Sequence, residues 1–246
     1  MTNHMTIPIR TVLEGVCDLV LGLMTEIEAR RYEIHWKPDG SPVTEADTYL
    51  ETMIEEYLRE TLPQLEFVGE ETYRPGVSAF SDWVAVLDPI DGTENFCSGL
   101  KEWGVSLSLW HDRKHAGSLL LLPELGERIM SGDEPPALSS RIVGFSSSIS
   151  EELAAQLTQA GEARITGCAV YNLFNVIRGS FTRFVNPVGA YSWDLLAGIS
   201  LALEFGCEVV LDGQPYDGDL LEPGRKYRVD IRHGRSPRSR QGSLAR

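Results

Sequence analysis

An apolar run, Val84-Ala85-Val86-Leu87, leads directly into Asp88-Pro89-Ile90-Asp91-Gly92-Thr93-Glu94-Asn95-Phe96. Pro89 withholds a backbone donor and is expected to stop the strand. Gly92 permits a tight turn and opens backbone amides toward an anion. Asp88 and Asp91, delivered together at a strand end, can converge on a hard cation, which prefers oxygen ligands. Taken alone, the same pair also fits a solvated acidic turn. Its spacing separates it from the Asp-x-Asp-Gly-Thr loop, in which two carboxylates two residues apart share one strand face and reach one phosphate. With three residues of spacing and a proline between, Asp88 suits a metal ligand better than a covalent nucleophile.

Two further segments offer carboxylates. Phe67-Val68-Gly69-Glu70-Glu71 ends an expected strand with paired acids, and Tyr191-Ser192-Trp193-Asp194-Leu195-Leu196-Ala197-Gly198 puts Asp194 in the first turn of an apolar helix. By themselves, Glu70 and Glu71 also fit a solvated loop, and Asp194 also fits a dipole cap. Thr44-Glu45-Ala46-Asp47 has the form of a helix capping box. The five histidines form no cluster along the chain.

The elements needed to hold these groups follow from periodicity. Residues 11–31 carry an amphipathic stripe of Val12, Val16, Leu19, Val20, Leu23 and Ile27, and a second helix is expected from the capping box to about Leu62. Lys37 to Pro42 reads as a turn-rich connection. Strands are expected at Glu66–Val68 and Trp83–Leu87. Alternation of Val105, Leu107 and Leu109 predicts a half-buried strand, turning at 111–115 into Ala116–Leu122. Beyond lie a strand at Arg141–Phe145, a helix near Ser150–Ala160 and a strand near Arg164. They are followed by a helix at Ala169–Arg178, a strand at Phe181–Val185, a helix at Trp193–Phe205 and a strand at Glu208–Leu211. This alternation favours a layered α/β architecture.

Taken in order, Pro42-Val43-Thr44-Glu45-Ala46-Asp47, Gly69-Glu70-Glu71, the Asp88–Phe96 segment, Trp193–Gly198 and Glu204-Phe205-Gly206 resemble the inositol monophosphatase family of magnesium-dependent, lithium-sensitive phosphatases. The resemblance implies that Glu70, Asp88, Asp91 and Asp194, with the Ile90 carbonyl, ligate two or three Mg²⁺. It implies that Thr93, hydrogen-bonded to Asp47, orients the attacking water, and that the Gly92 and Thr93 amides hold phosphate oxygens. Gly167-Cys168-Ala169 occupies the place of a substrate-contacting turn. Glu70, Asp91 and Thr93 thus count as catalytic with Asp47, and Asp91 and Asp194 also border the substrate.

The implied fold is α/β with an α+β N-terminal half, in layers α-β-α-β-α. Residues 1–135 would form that half and carry most ligands, 136–231 would form an α/β half supplying Asp194, and 232–246 a disordered basic tail. The implied substrate is a small polyol or sugar phosphate monoester, and the implied assembly a homodimer. Departures concern the substrate. Pro187, preceded by Asn186, stands where inositol-specific relatives place a glutamate. Ser98-Gly99-Leu100 and Trp103-Gly104 look more like the histidinol-phosphatase branch. Fructose bisphosphatase, nucleotide bisphosphate phosphatase and a non-catalytic metal-binding relative remain open alternatives.

Composition narrows the field further. The chain has 246 residues, 42% of them hydrophobic, and 22 basic against 36 acidic residues give a net charge of −14. An acidic surface disfavours nucleic acid, and handling anions on it calls for metal cations. No apolar run reaches the length of a membrane span, and the N-terminus lacks signal-peptide character. Cys17, Cys97, Cys168 and Cys207 are scattered and fit free thiols in a reducing cytoplasm. Residues 232–246 carry five arginines and no acid.

Overall fold

The computed structural model describes residues 8–74, 82–136 and 138–234. Helix α1 (Ile9–Gly22) and helix α2 (Met24–Ala29) replace the single helix expected over 11–31, with the break at Leu23, directly after a glycine. Strands β1 (Ile34–Trp36) and β2 (Pro42–Thr44) form a small antiparallel hairpin where only a connection was expected. Helix α3 (Glu45–Thr61) begins at the expected capping box. Thr44 Oγ1 accepts from the Ala46 amide at 3.2 Å, and Asp47 Oδ2 accepts from the Thr44 amide at 2.8 Å.

A five-stranded sheet follows: β3 (Leu65–Gly69), β4 (Trp83–Asp91), β5 (Gly104–His111), β6 (Lys114–Leu122) and β7 (Glu127–Met130), in chain order, with short helix α4 (Thr93–Cys97) between β4 and β5. β3 and β4 run parallel and the rest antiparallel. Pro89 does not stop β4. A register shift between Asp88 and Asp91 absorbs the missing donor, so pairing with β5 resumes at Asp91. β5 is not half-buried: Ser106 and Ser108, like Val105 and Leu107, are fully buried. The serines lie on the face that takes the central helices, where Ser106 Oγ donates to the Trp193 carbonyl at 2.8 Å.

The second sheet is built from β8 (Ile142–Phe145), β9 (Glu162–Ile165), β10 (Arg183–Tyr191), β11 (Glu208–Leu211), β12 (Gln214–Pro215) and β13 (Lys226–Arg232). Its spatial order is β12-β11-β13-β10-β8-β9. Helix α5 (Glu151–Leu157) packs against β10, and helices α6 (Ala169–Arg178) and α7 (Ser192–Glu204) lie between the two sheets. With α1 and α3 on the far side of the first sheet, the layers run α-β-α-β-α.

Strand alternation divides the core. Ala85, Leu87, Leu119 and Leu121 join one cluster with α1 and α3, while Val84, Val86, Leu120 and Leu122 join another with α6, α7 and the second sheet. Both faces are covered, so the strands read as continuous apolar runs. Arg232, expected in the basic tail, instead ends β13 by pairing with Arg183 and Glu208. Residues 235–246 of that tail lie outside the described residues.

Candidate active site

Four backbone features bring the acids together. β3 ends at Gly69, where a Cβ would lie 2.4 Å from the Glu51 carboxyl carbon. Glu51, buried on α3, uses the space to accept from the Glu71 and Thr72 amides, each at 2.9 Å, and so shapes the loop that presents Glu70. The β4 bulge aims Asp88 and Asp91 from one strand end. Gly92 adopts φ +84, and a Cβ there would stand 2.9 Å from Cys168 Cβ, so the turn needs a glycine. The first turn of α7 carries Asp194, whose Oδ2 accepts from the Tyr191 amide at 2.8 Å.

Glu70, Asp88 and Asp194 each place a carboxylate oxygen within 4.8 Å of the others. Burial pushes the Asp88 carboxyl well above its usual range, and the charges of Glu70, Asp91 and Asp194 push it further. Asp194 is displaced the same way by burial, then by Asp91 and Glu70. Packed acids with this mutual repulsion are a donor set for a hard divalent cation, whose charge would reverse the effect. A lysine partly fills that need here: Lys37 Nζ lies 2.7 Å from Glu70 Oε1 and 2.8 Å from Glu71 Oε1. Burial works against the Lys37 ammonium, but Glu70 and Glu71 outweigh it and keep it protonated beyond its usual range. The residues present therefore fit a divalent metal.

Asp91 sits beside this trio with one oxygen turned elsewhere. Its Oδ2 accepts from Cys168 Sγ at 2.9 Å and from the Val170 amide, at the start of α6. Burial raises the Asp91 carboxyl to about 6 against those two bonds. Cys168 is itself the cap of α6, accepting from the Tyr171 amide at 3.2 Å, and its thiol is pushed up, first by burial and then by Asp91.

Thr93 lies next to the cluster. Its Oγ1 is 3.2 Å from Asp47 Oδ1 and 3.0 Å from the Ile90 carbonyl, so its proton is directed away and a lone pair is left to orient a further donor. Burial lifts Asp47 to about 6, opposed by the bonds from Thr44. Gly167, at φ +74, begins the turn that carries Cys168 and Ala169, and these three line a solvent-open cleft with Asp91 and Asp194. Asn186 Oδ1 accepts from the Val188 and Gly189 amides and closes a bulge in β10, so that oxygen is not offered to a ligand hydroxyl.

Sequence reasoning missed two residues. Glu51 had a signal, an acid beside Leu50 on the stripe that continues through Ile54 and Leu58. Asn95 Nδ2 donates to the Glu102 carbonyl at 2.7 Å and the Thr166 carbonyl at 2.6 Å, tying the turn after Asp91 to the Gly167 turn. Nothing local marks the Thr166 partner, which lies 71 residues away.

The family model described as "Inositol monophosphatase family" matches residues 9–135. A histidinol-phosphatase of Streptomyces coelicolor is 32% identical over 123 residues, 48% of this chain and 45% of that protein. The 3'(2'),5'-bisphosphate nucleotidase CysQ of Salmonella typhimurium is 29% identical, covering 89% of this chain and all of that protein. The structure of a Staphylococcal inositol monophosphatase-1 soaked in lithium chloride superposes with a TM-score of 0.77 at 18% identity, covering 94% of this chain and 92% of that one. With the family model matching more than half its length, the chain belongs to the inositol monophosphatase family. It is a metal-dependent phosphoric monoester hydrolase of that family. Among the described residues, no helix is long and apolar enough to cross a membrane.

Proposed function

We propose that this chain hydrolyses a small polyol or sugar phosphate with two or three Mg²⁺ held by Glu70, Asp88, Asp91, Asp194 and the Ile90 carbonyl. The observation that carries the reading is the close approach of Glu70, Asp88 and Asp194 oxygens beside the Asp47–Thr93 hydrogen bond. Mg²⁺ bound there supplies charge that stabilises the attacking and leaving oxygens of an in-line displacement and lowers the pKa of water.

The chain's own groups do the rest. Asp47 takes the Thr93 proton in a hydrogen bond, so Thr93 Oγ1 accepts from the attacking water and points its lone pair at phosphorus. The water oxygen bonds to phosphorus as the ester P–O bond breaks; one water proton stays on the phosphate and the other passes to the leaving oxygen, which departs as the alcohol. The Gly92 and Thr93 amides, at the left-handed turn, face phosphate oxygens. The Gly167–Ala169 turn borders the leaving group. The presence of Thr93 and Asp47 disfavours a non-catalytic relative. Family resemblance also supports a homodimer, which a solution mass of one chain would remove. A second reading, histidinol phosphate, draws support from the local similarity over 123 residues.

The test is phosphate release from a panel of monoesters with Mg²⁺, with chelator, and in ¹⁸O-water. The expected result is Mg²⁺-dependent release, solvent oxygen in the phosphate and no phospho-aspartate. Full activity in chelator, or a phosphoenzyme at Asp88 or Asp91, would overturn the mechanism.

A further inference from the structure

Asn95 carries none of the chemistry assigned above, yet it belongs to one of the two turns an ester would span and is bonded to the other. It sits on α4 two residues after Thr93. The Phe96 amide donates to the Gly92 carbonyl at 3.0 Å, so one helical turn carries Gly92, Thr93 and Asn95 together. A side-chain amide has two hydrogens to give, and Asn95 spends both. One meets the Glu102 carbonyl at 2.7 Å, just before β5, and the other meets the Thr166 carbonyl at 2.6 Å, directly ahead of Gly167.

The contact is close and buried. Asn95 is 9% exposed, and hydrogen bonds in a low-dielectric interior are stronger than those in water. A Cβ added at Gly167 would stand 2.8 Å from Asn95 Oδ1, so the glycine lets the two turns meet. Thr166 is itself anchored to α6, its hydroxyl lying 2.7 Å from Asn172 Nδ2. Asp91 makes a second bridge between the turns, through Cys168 and the Val170 amide. That carboxylate also stands among the proposed Mg²⁺ ligands, so its bridge is bound up with metal. The Asn95 amide is neutral at every pH and is no candidate ligand, so its bridge is not.

We propose that Asn95 is a positioning residue that sets the Gly167–Ala169 turn relative to the Gly92–Thr93 turn. It thereby governs the use of the intact ester and not the binding of metal or of free phosphate. This rests on the phosphomonoesterase reading above. In that reading an ester spans both turns, with its phosphate at Gly92 and Thr93 and its leaving group at Gly167–Ala169. Inorganic phosphate occupies only the first. Loss of the two N–H bonds frees the leaving-group turn to shift while the phosphate turn and the carboxylate cluster stay in place. The cost then falls on the alignment of the leaving oxygen with the attacking water, where a displacement of about 1 Å is worth about 100-fold in rate.

The test compares Asn95→Ala and the milder Asn95→Ser, which keeps one hydroxyl donor, with the wild-type chain. Three quantities are measured: kcat and KM for the ester the wild type hydrolyses fastest among inositol 1-phosphate, histidinol phosphate and fructose 1,6-bisphosphate; the inhibition constant of inorganic phosphate; and Mg²⁺ affinity by calorimetry without substrate. In Asn95→Ala, kcat/KM should fall about 100-fold, partly through a higher KM, with a smaller fall in Asn95→Ser. Phosphate inhibition and Mg²⁺ affinity should stay within about twofold of wild type in both. Phosphate or Mg²⁺ binding that weakens along with the ester, or an unchanged kcat/KM, overturns the proposal. Failure of both variants to fold also overturns it, since Asn95 would then serve folding alone. A wild-type chain that binds Mg²⁺ and releases phosphate from none of the esters fails the catalytic reading itself.

Discussion

Asp47 Oδ1 accepts from Thr93 Oγ1 at 3.2 Å, across 46 residues of sequence, while Asp47 Oδ2 closes the cap of α3. One carboxylate thus fixes a helix start and the hydroxyl beside the Glu70, Asp88 and Asp194 carboxylates. Thr93→Ala removes the orienting hydroxyl and no ligand, so kcat should fall about 100-fold while the Mg²⁺ dependence stays near wild type. Asp47→Asn should resemble Thr93→Ala, with added instability because its amide would face the Thr44 donors. Steady-state rates over a Mg²⁺ titration check both, and a large rise in the Mg²⁺ requirement of Thr93→Ala would refute the assignment.

Asp88→Asn keeps an oxygen for the Ile90 amide, which now donates to Asp88 Oδ1 at 3.0 Å, but deletes a buried negative charge. Mg²⁺ should bind at least about 10-fold more weakly. The metal-free protein should melt about 2–4 °C higher, because a repelled buried carboxylate is gone. Thermal melts in chelator, paired with Mg²⁺ calorimetry, test this; a lower metal-free Tm with intact Mg²⁺ binding would contradict it.

Burial, chiefly, raises Asp47 and Asp91 to about 6 and Glu71 to about 7. Each lies above the value of an unfolded carboxylate, so the folded chain holds protons that the unfolded chain releases. Their contribution therefore favours folding at low pH and is lost as pH rises from about 4 to about 7. A bound divalent cation favours the ionised forms and should flatten this slope. Melts at pH 5 to 8, in chelator and in Mg²⁺, should converge at low pH and diverge at high pH; parallel curves would argue against metal at this cluster.

Gly92→Ala places a Cβ 2.9 Å from Cys168 Cβ at φ +84, and should cost more than about 1 kcal/mol. Cys168→Ala removes the cap of α6 and the donor to Asp91, and should cost about 1 kcal/mol, whereas Cys168→Ser restores both bonds. Urea unfolding measures all three; a neutral Gly92→Ala would show that the turn has room for a side chain.

Much of the fold was legible because burial leaves a period. The stripe of Leu50, Ile54 and Leu58 along α3 and the Thr44–Asp47 cap at its start are local patterns with local causes. β13 was overlooked although Tyr227, Val229 and Ile231 alternate with charges, because it follows a stretch rich in Asp, Gly and Pro. The passage of β4 through Pro89, and of β10 through Pro187 and Gly189, was not legible: each depends on a bulge that a neighbouring strand tolerates.

By itself the sequence determined which residue types could do the chemistry, their order, and the turns and caps that hold them, since these rest on contacts between near neighbours. Only the tertiary structure decided that Glu70, Asp88 and Asp194 share one small volume, that Asp91 spends an oxygen on α6, and that Lys226 lies over the Tyr191 ring at the edge of the cleft. Most of those relations join segments far apart in the chain, Asp91 to Cys168 across 77 residues among them. They arise where two sheets and the helices between them pack, and no spacing along the chain encodes that packing.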